Sequence, residues 1–380
     1  MRAVGWLLAV CAPAWLSCSS ARICEVGQGC GGSASAQGGQ EAEAGAPSAP
    51  AGGGGAESSG PEGGEAPRGG SESDAGASPE AMAGAAVGGT ETGEGGGACD
   101  AEPRAVGALQ GEPLTEISGI VASVKNPGVY YVHNDSGDTA RFFAIDEQGR
   151  TLAEISLTGA TAIDWEDIAL GPGPGGESFV YLGDVGDNNA RVGATPRPSI
   201  DVYRVAEPLI LSDEEVPEPL AVSDWSRLPL SYPGPAHDCE ALLLDPESAD
   251  LVLVTKENDG RSSVFRASGL VADGVKQTLE LVAEAEFGTT QAPGSSLVTG
   301  GELSPSGDAL LLRTYTSVFF WSRPAGSALA ALFSAAPQQL PAPAEEQGEA
   351  ITFSADGLSY LTVSEQEHAD IFRARLSCEL

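Results

Sequence analysis

From Glu116 onward, short apolar runs alternate with polar residues at a period of two, the spacing of strands rather than helices. One arrangement occurs five times: a polar or small pair, an apolar strand, a turn, a second strand and a polar loop. The five stretches are EISGIVASVKNPGVYYVHNDSGD (116–138), DWEDIALGPGPGGESFVYLGDVGDNN (164–189), DCEALLLDPESADLVLVTKENDG (238–260), TGGELSPSGDALLLRTYTS (299–317) and QGEAITFSADGLSYLTVSEQEHAD (347–370). Their turns, NPG, PGG, DPESAD, SPSGD and SADG, have hairpin chemistry.

Each pair is followed by a third strand carrying an aromatic: RFFAID, IDVYRV, SSVFRA, SVFFWS and DIFRAR. A fourth is assigned to TLAEISL, RLPLSY, LELVAEAEF and ALAALFSA. Four antiparallel strands per unit, repeated radially, predict an all-β fold, a β-propeller with five blades counted. The acidic, Pro-rich excursion EPLILSDEEVPEPLAV reads as an insertion between strands three and four of the second blade. A degenerate sixth blade, there or in 270–298, is the competing count. The last unit runs out of chain before its fourth strand, and AVGALQG (105–111) is predicted to supply it, antiparallel to 371–376. That pairing would bring Cys99 beside Cys378, and a disulfide there would close the ring, worth roughly 4–5 kcal/mol by chain entropy.

In such a blade the start of strand one and the end of strand two share an edge, and strand one is innermost. Ser118, Asp164 with Glu166, Asp238 with Glu240, Glu302 and Glu349 therefore converge on the channel mouth. His133–Asp138, Asp184–Asn188, Lys256–Asp259, Arg313 and Glu365–His368 join them. So many carboxylates repel one another unless Lys256 and Arg313 pair with neighbouring acids or a hard cation binds. Ca²⁺ takes six to eight oxygens, and DSGD and GDVGDNN supply oxygens spaced by glycines, though not in EF-hand register. Asp135, Asp138, Glu166, Asp184, Asp187, Glu240 and Glu349 are the candidate ligands. The bland reading makes them turn formers and solvated loop charges.

The words HNDSGD, DWEDIA, GDVGDN, EALLLDP and QGEAITF, spread over most of 112–376, resemble a family of exported bacterial propellers, TolB-like or related to the "esterase-like activity of phytase" group. The resemblance implies a propeller, commonly of six blades, and hydrolysis of phosphate or other esters. For such chemistry His237 with Asp238 is the candidate acid–base pair, and Lys256 and Arg313 are the candidate groups for an anionic substrate. No GxSxG elbow is present, and GPGPGG (171–176) lacks the GKS or GKT of a phosphate loop.

The N-terminus changes the setting. Residues 1–17 carry one Arg, then an uncharged apolar run too short to span a bilayer, as an export signal does. Ser17-Cys18 resembles a bacterial lipoprotein processing site, with Trp15 where Leu is usual, so Cys18 is the expected lipidation site, with plain secretion and an uncleaved anchor as alternatives. Residues 18–98 form an acidic tether; 31–98, almost wholly Gly, Ala, Ser, Glu and Pro, lack any aromatic and cannot bury enough to offset ordering. About 70 such residues reach roughly 45 Å. Residues 99–380 are the propeller.

The net charge of −35 argues against nucleic acid, whose binders need a basic footprint. No CxxC or Cys/His cluster is found among the 7 cysteines, which disfavours structural zinc. Three functions follow. The first is an exported, lipid-anchored binding module with a Ca²⁺-holding mouth, its partner a ligand or envelope protein and its membrane contact the lipid alone. The second is a metal-dependent phosphoesterase or esterase, and the third a structural envelope protein.

Overall fold

The alternating runs pair into five separate sheets whose innermost strands contact one another in a closed cycle, forming a five-bladed β-propeller. This computed structural model describes residues 102–111, 113–211, 218–287 and 294–376. From the axis outward, the first blade is Ile117–Ala122, Val129–Asn134, Arg141–Asp146 and Thr151–Leu157. The second is Trp165–Pro172, Ser178–Asp184, Ile200–Ala206 and Trp225–Ser231, and the third Cys239–Leu244, Leu251–Thr255, Arg261–Ala267 and Glu280–Glu286. The fourth is Val298–Leu303, Ala309–Thr314, Ser317–Ser322 and Gln338–Leu340. The fifth is Gly348–Phe353, Ser359–Ser364 and Asp370–Arg375, completed by Arg104–Ala108. That last strand is antiparallel to its neighbour, with Ala108 opposite Asp370, as the sequence predicts. Cys99, Cys378 and Cys18 lie outside the described residues.

Burial follows radius. The second strands of the first, third, fourth and fifth blades are buried at every position, whereas outermost Glu280–Glu286 is mostly exposed or half-exposed. A strand with a blade on either side reads as a continuous apolar run, and one facing water does not. The core accordingly divides into five apolar clusters, one per interface between neighbouring blades.

The innermost strands leave their axial edges without a ladder partner, and polar side chains of adjoining blades take up part of that capacity. Ser118 Oγ donates to the Glu166 carbonyl (2.6 Å), and Asp167 accepts the Leu242 N–H (2.8 Å). Thr299 Oγ1 donates to the Gly348 carbonyl (2.8 Å), and Thr352 Oγ1 accepts the Ala122 N–H (3.2 Å).

Three features depart from the sequence reading. The excursion after the third strand of the second blade contributes Leu220–Val222, which adds in parallel to Thr151–Leu157 of the first blade. Gln277–Thr278 likewise adds in parallel to Trp225–Ser231. Both extend existing sheets, so neither seeds a sixth blade.

ALAALFSA, expected as the fourth strand of the fourth blade, is a 3₁₀ helix over Leu329–Ser334, and Gln338–Leu340 is the strand. Leu329, Leu332 and Phe333 recur at helical spacing and join the Trp321 cluster. Trp321 Nε1 donates to the Ala335 carbonyl (3.0 Å) and holds the end of that turn.

The fourth blade is also offset by three residues from its expected alignment. The sequence pattern sets Glu302 level with Glu166; Thr299 stands there instead. Glu302 lies further along, where it accepts the Thr352 hydroxyl (2.7 Å) and the Phe353 N–H (2.5 Å).

Candidate functional site

Each innermost strand has a register shift at the same level of the ring, and the extra residue is Ser118, Glu166, Glu240, Thr299 or Glu349. A bulge drops one residue from the ladder and re-aims its side chain. Three of these five are carboxylates, so the bulges themselves concentrate acid at the mouth.

The residues paired beside the bulges, at the ends of the second strands, are Asn134, Asp184, Thr255, Thr314 and Ser364. Three of them brace the incoming chain. Asn134 Oδ1 accepts the N–H groups of Thr115 and Glu116 (both 3.3 Å), and Ser364 Oγ accepts that of Gln347 (3.2 Å). Asp184 does the same for Ile163 (3.3 Å) and Asp164 (3.1 Å), and pairs with Arg197 at 2.7 Å. Its place among the expected ligands is thus taken by a structural task.

One residue further on stand Asp135, Val185, Lys256, Tyr315 and Glu365. All but Val185 contribute polar groups to the mouth. Carboxylate oxygens of Asp135, Asp164 and Glu166 lie within 4.8 Å of one another, and so do those of Glu166, Asp238 and Glu240. The two groups share Glu166 and differ in what neutralises them. Asp238 accepts the Asp187 N–H (2.7 Å) and Arg191 Nε (2.8 Å), while Glu240 pairs with Lys256 Nζ at 3.0 Å. Among the described residues, Asp135 accepts only from the N–H of Ser136. Among the described residues, none donates a hydrogen bond to the carboxylate of Asp164 or Glu166, and Glu166 is 3% exposed.

Burial and like-charge crowding disfavour the charged form of each acid. Burial raises Asp164 to about 6, with Asp135 and Asp238 adding to it. Burial, then Glu240 and Asp135, hold Glu166 well above the usual glutamate range. Burial pushes Glu240 up to about 8 against the pull of Lys256. Burial works downward on Lys256, but Glu240 and Glu349 outweigh it and raise its pKa. The ammonium also lies 4.9 Å from the centroid of the Tyr315 ring, within cation–π range. Glu349, 5% exposed, keeps Oε2 buried without a hydrogen-bond partner among the described residues.

The remaining expected residues are engaged elsewhere. Asp138 turns back to Arg141 Nε (2.9 Å) and Asn134 Nδ2 (2.8 Å). Asp187 caps the short helix Asn188–Val192 through the Ala190 N–H (3.1 Å) and accepts that of Arg197 (2.6 Å). His237 pairs with Glu257 at 2.9 Å and packs on Tyr232 and Phe265, so it forms no dyad with Asp238. Arg313, 1% exposed, joins Glu345 (2.7 Å) and the Ala350 carbonyl (3.0 Å), spanning the fourth and fifth blades. His133, expected on the rim, is fully buried beneath it; burial lowers it to about 4 and leaves it neutral.

The sequence puts Asp164 and Glu365 at the mouth without marking them as ligands, and gives no direct signal for Tyr315, Arg191 or Thr299. Repeat position finds most of them: Asp164 is equivalent to Glu116 and Asp238, two before the bulge, and Tyr315 is equivalent to Asp135 and Lys256. No protein-family model matches the chain. No curated protein matches it either.

Proposed function

We propose that this protein is an exported, lipid-anchored β-propeller binding module whose working surface is the acidic mouth, and that the mouth holds Ca²⁺ between Asp135, Asp164 and Glu166. One observation carries the reading: three carboxylates converge within 4.8 Å, and two of them receive no donor from any described residue. Carboxylate oxygens in that number, with water completing the shell, are what a hard cation takes. The ion would order the rim and present a charged surface to a ligand or an envelope protein. The signal-like N-terminus, Cys18 and the acidic tether support placement at the cell envelope.

The hydrolytic alternative, suggested by the phytase-related resemblance, calls on His237 with Asp238 and on Lys256 with Arg313. Those groups are paired with Glu257, Arg191, Glu240 and Glu345 respectively, so the contacts favour binding over turnover. The test is elemental analysis of purified, dialysed protein together with melting in Ca²⁺ and in chelator. A Ca²⁺-dependent rise in Tm that Glu166→Gln removes is the expected result. An unchanged Tm with no bound ion would overturn the reading.

A further inference from the structure

We propose that the mouth contains two cation positions and that the protein fills the second with its own Lys256 ammonium, leaving one position for a divalent ion. The inference rests on the cation-binding reading above and adds to it a stoichiometry and a reason for it.

The repeat supplies the first argument. Asp135 and Lys256 occupy the same place in their blades, one residue past the end of the second strand. In the first blade that place brings a carboxylate to Asp164 and Glu166. In the third it brings an ammonium to the group formed by Glu166, Asp238 and Glu240, whose oxygens are gathered just as tightly. One residue type thus completes a ligand set, and the other occupies one.

Local geometry supplies the second. Lys256 is 5% exposed, which a lysine tolerates only when paired. Its Nζ sits 3.0 Å from Glu240 Oε1 and above the Tyr315 ring, and Glu349 adds a second negative charge whose buried Oε2 has no hydrogen-bond partner among the described residues. An ammonium held by carboxylates on one side and an aromatic face on another is in the position an added cation would otherwise take. A divalent ion entering the same group would have to displace that ammonium or meet its like charge at short range. Removing the ammonium without shortening the side chain would leave Glu166, Asp238 and Glu240, with the Glu349 charge near Glu240, as the oxygen set and the excess charge that attract a second ion.

The experiment counts Ca²⁺ per full-length chain by equilibrium dialysis with elemental analysis, in wild type, Lys256→Met and the double variant Lys256→Met/Glu240→Gln. The expected counts are one, two and one. The single variant should melt below wild type in chelator and recover in Ca²⁺ with a larger rise in Tm than wild type shows. A folded Lys256→Met that still takes one ion overturns the proposal, as does a wild type that takes two. A Lys256→Met chain that stays unfolded in millimolar Ca²⁺ also overturns it, because the second ion should replace the lost charge. A wild type that binds none would overturn the cation-binding reading itself.

Discussion

The backbone of Gly186 is the wall against which the Glu166 carboxylate rests. A Cβ at Gly186 would overlap Glu166 Oε1 and stand 2.7 Å from Asp164 Oδ2. The second glycine of GDVGDN is therefore needed for close approach. Gly186→Ala should displace Glu166 and weaken Ca²⁺ binding by about tenfold or more, the effect of roughly 1.4 kcal/mol. Overpacking of this kind costs about 1–3 kcal/mol of stability. A Ca²⁺ titration of the folded variant checks it; wild-type affinity would show that the wall is not part of the site.

Asp184 and Glu166 are both buried acids of the second blade, and the structure gives them different work. An amide already performs the Asp184 task in the first blade, at Asn134. Asp184→Asn should therefore fold and keep its Ca²⁺-dependent rise in Tm, whereas Glu166→Gln should lose that rise. Loss of the rise in both variants would return Asp184 to the ligand set.

Arg313 and Glu345 form an ion pair with side chains 1% and 2% exposed. Arg313→Met leaves Glu345 buried and uncompensated, an expected loss of about 3–5 kcal/mol in denaturant unfolding. Arg313→Met/Glu345→Gln should recover most of it, because no lone charge remains. A double variant no better than the single one would mean that the guanidinium bond to the Ala350 carbonyl carries the effect.

Glu302 makes part of the stability depend on pH. Burial raises its pKa to about 8 from an ordinary value of 4.5, against the hydrogen bonds from Thr352 and Phe353. The folded state thus favours the protonated form. The contribution is fully present below about 4.5 and is lost as pH rises through about 8. Metal-free protein should melt higher at pH 5 than at pH 8.5, and Glu302→Gln should flatten that slope. A variant with the wild-type slope would place the dependence on other groups.

Blade number and ring closure were readable because they rest on patterns every unit repeats, such as the apolar second strands and the aromatic third ones. The fourth blade departs from the alignment because TGG puts glycines where the other units have an apolar residue, and the next Glu-Leu pair imitates the missing signal. Leu329–Ser334 looked like strand because a short apolar run carries no clear period. Acids were easy to place at the mouth and hard to sort. Whether a carboxylate braces backbone, as Asp184 does, or stands without a donor, as Glu166 does, depends on partners such as Arg197 that come from other loops.

Arg104–Ala108 completes a blade whose other three strands come from the opposite end of the domain. The loop joining those partners spans nearly all of the ring, so its closure is an entropically late event. A chain emerging from synthesis would carry four assembled sectors and an open seam until Asp370–Arg375 arrives. Shortening the domain by that one strand should leave the seam permanently unsealed, with a bare sheet edge available to neighbouring chains.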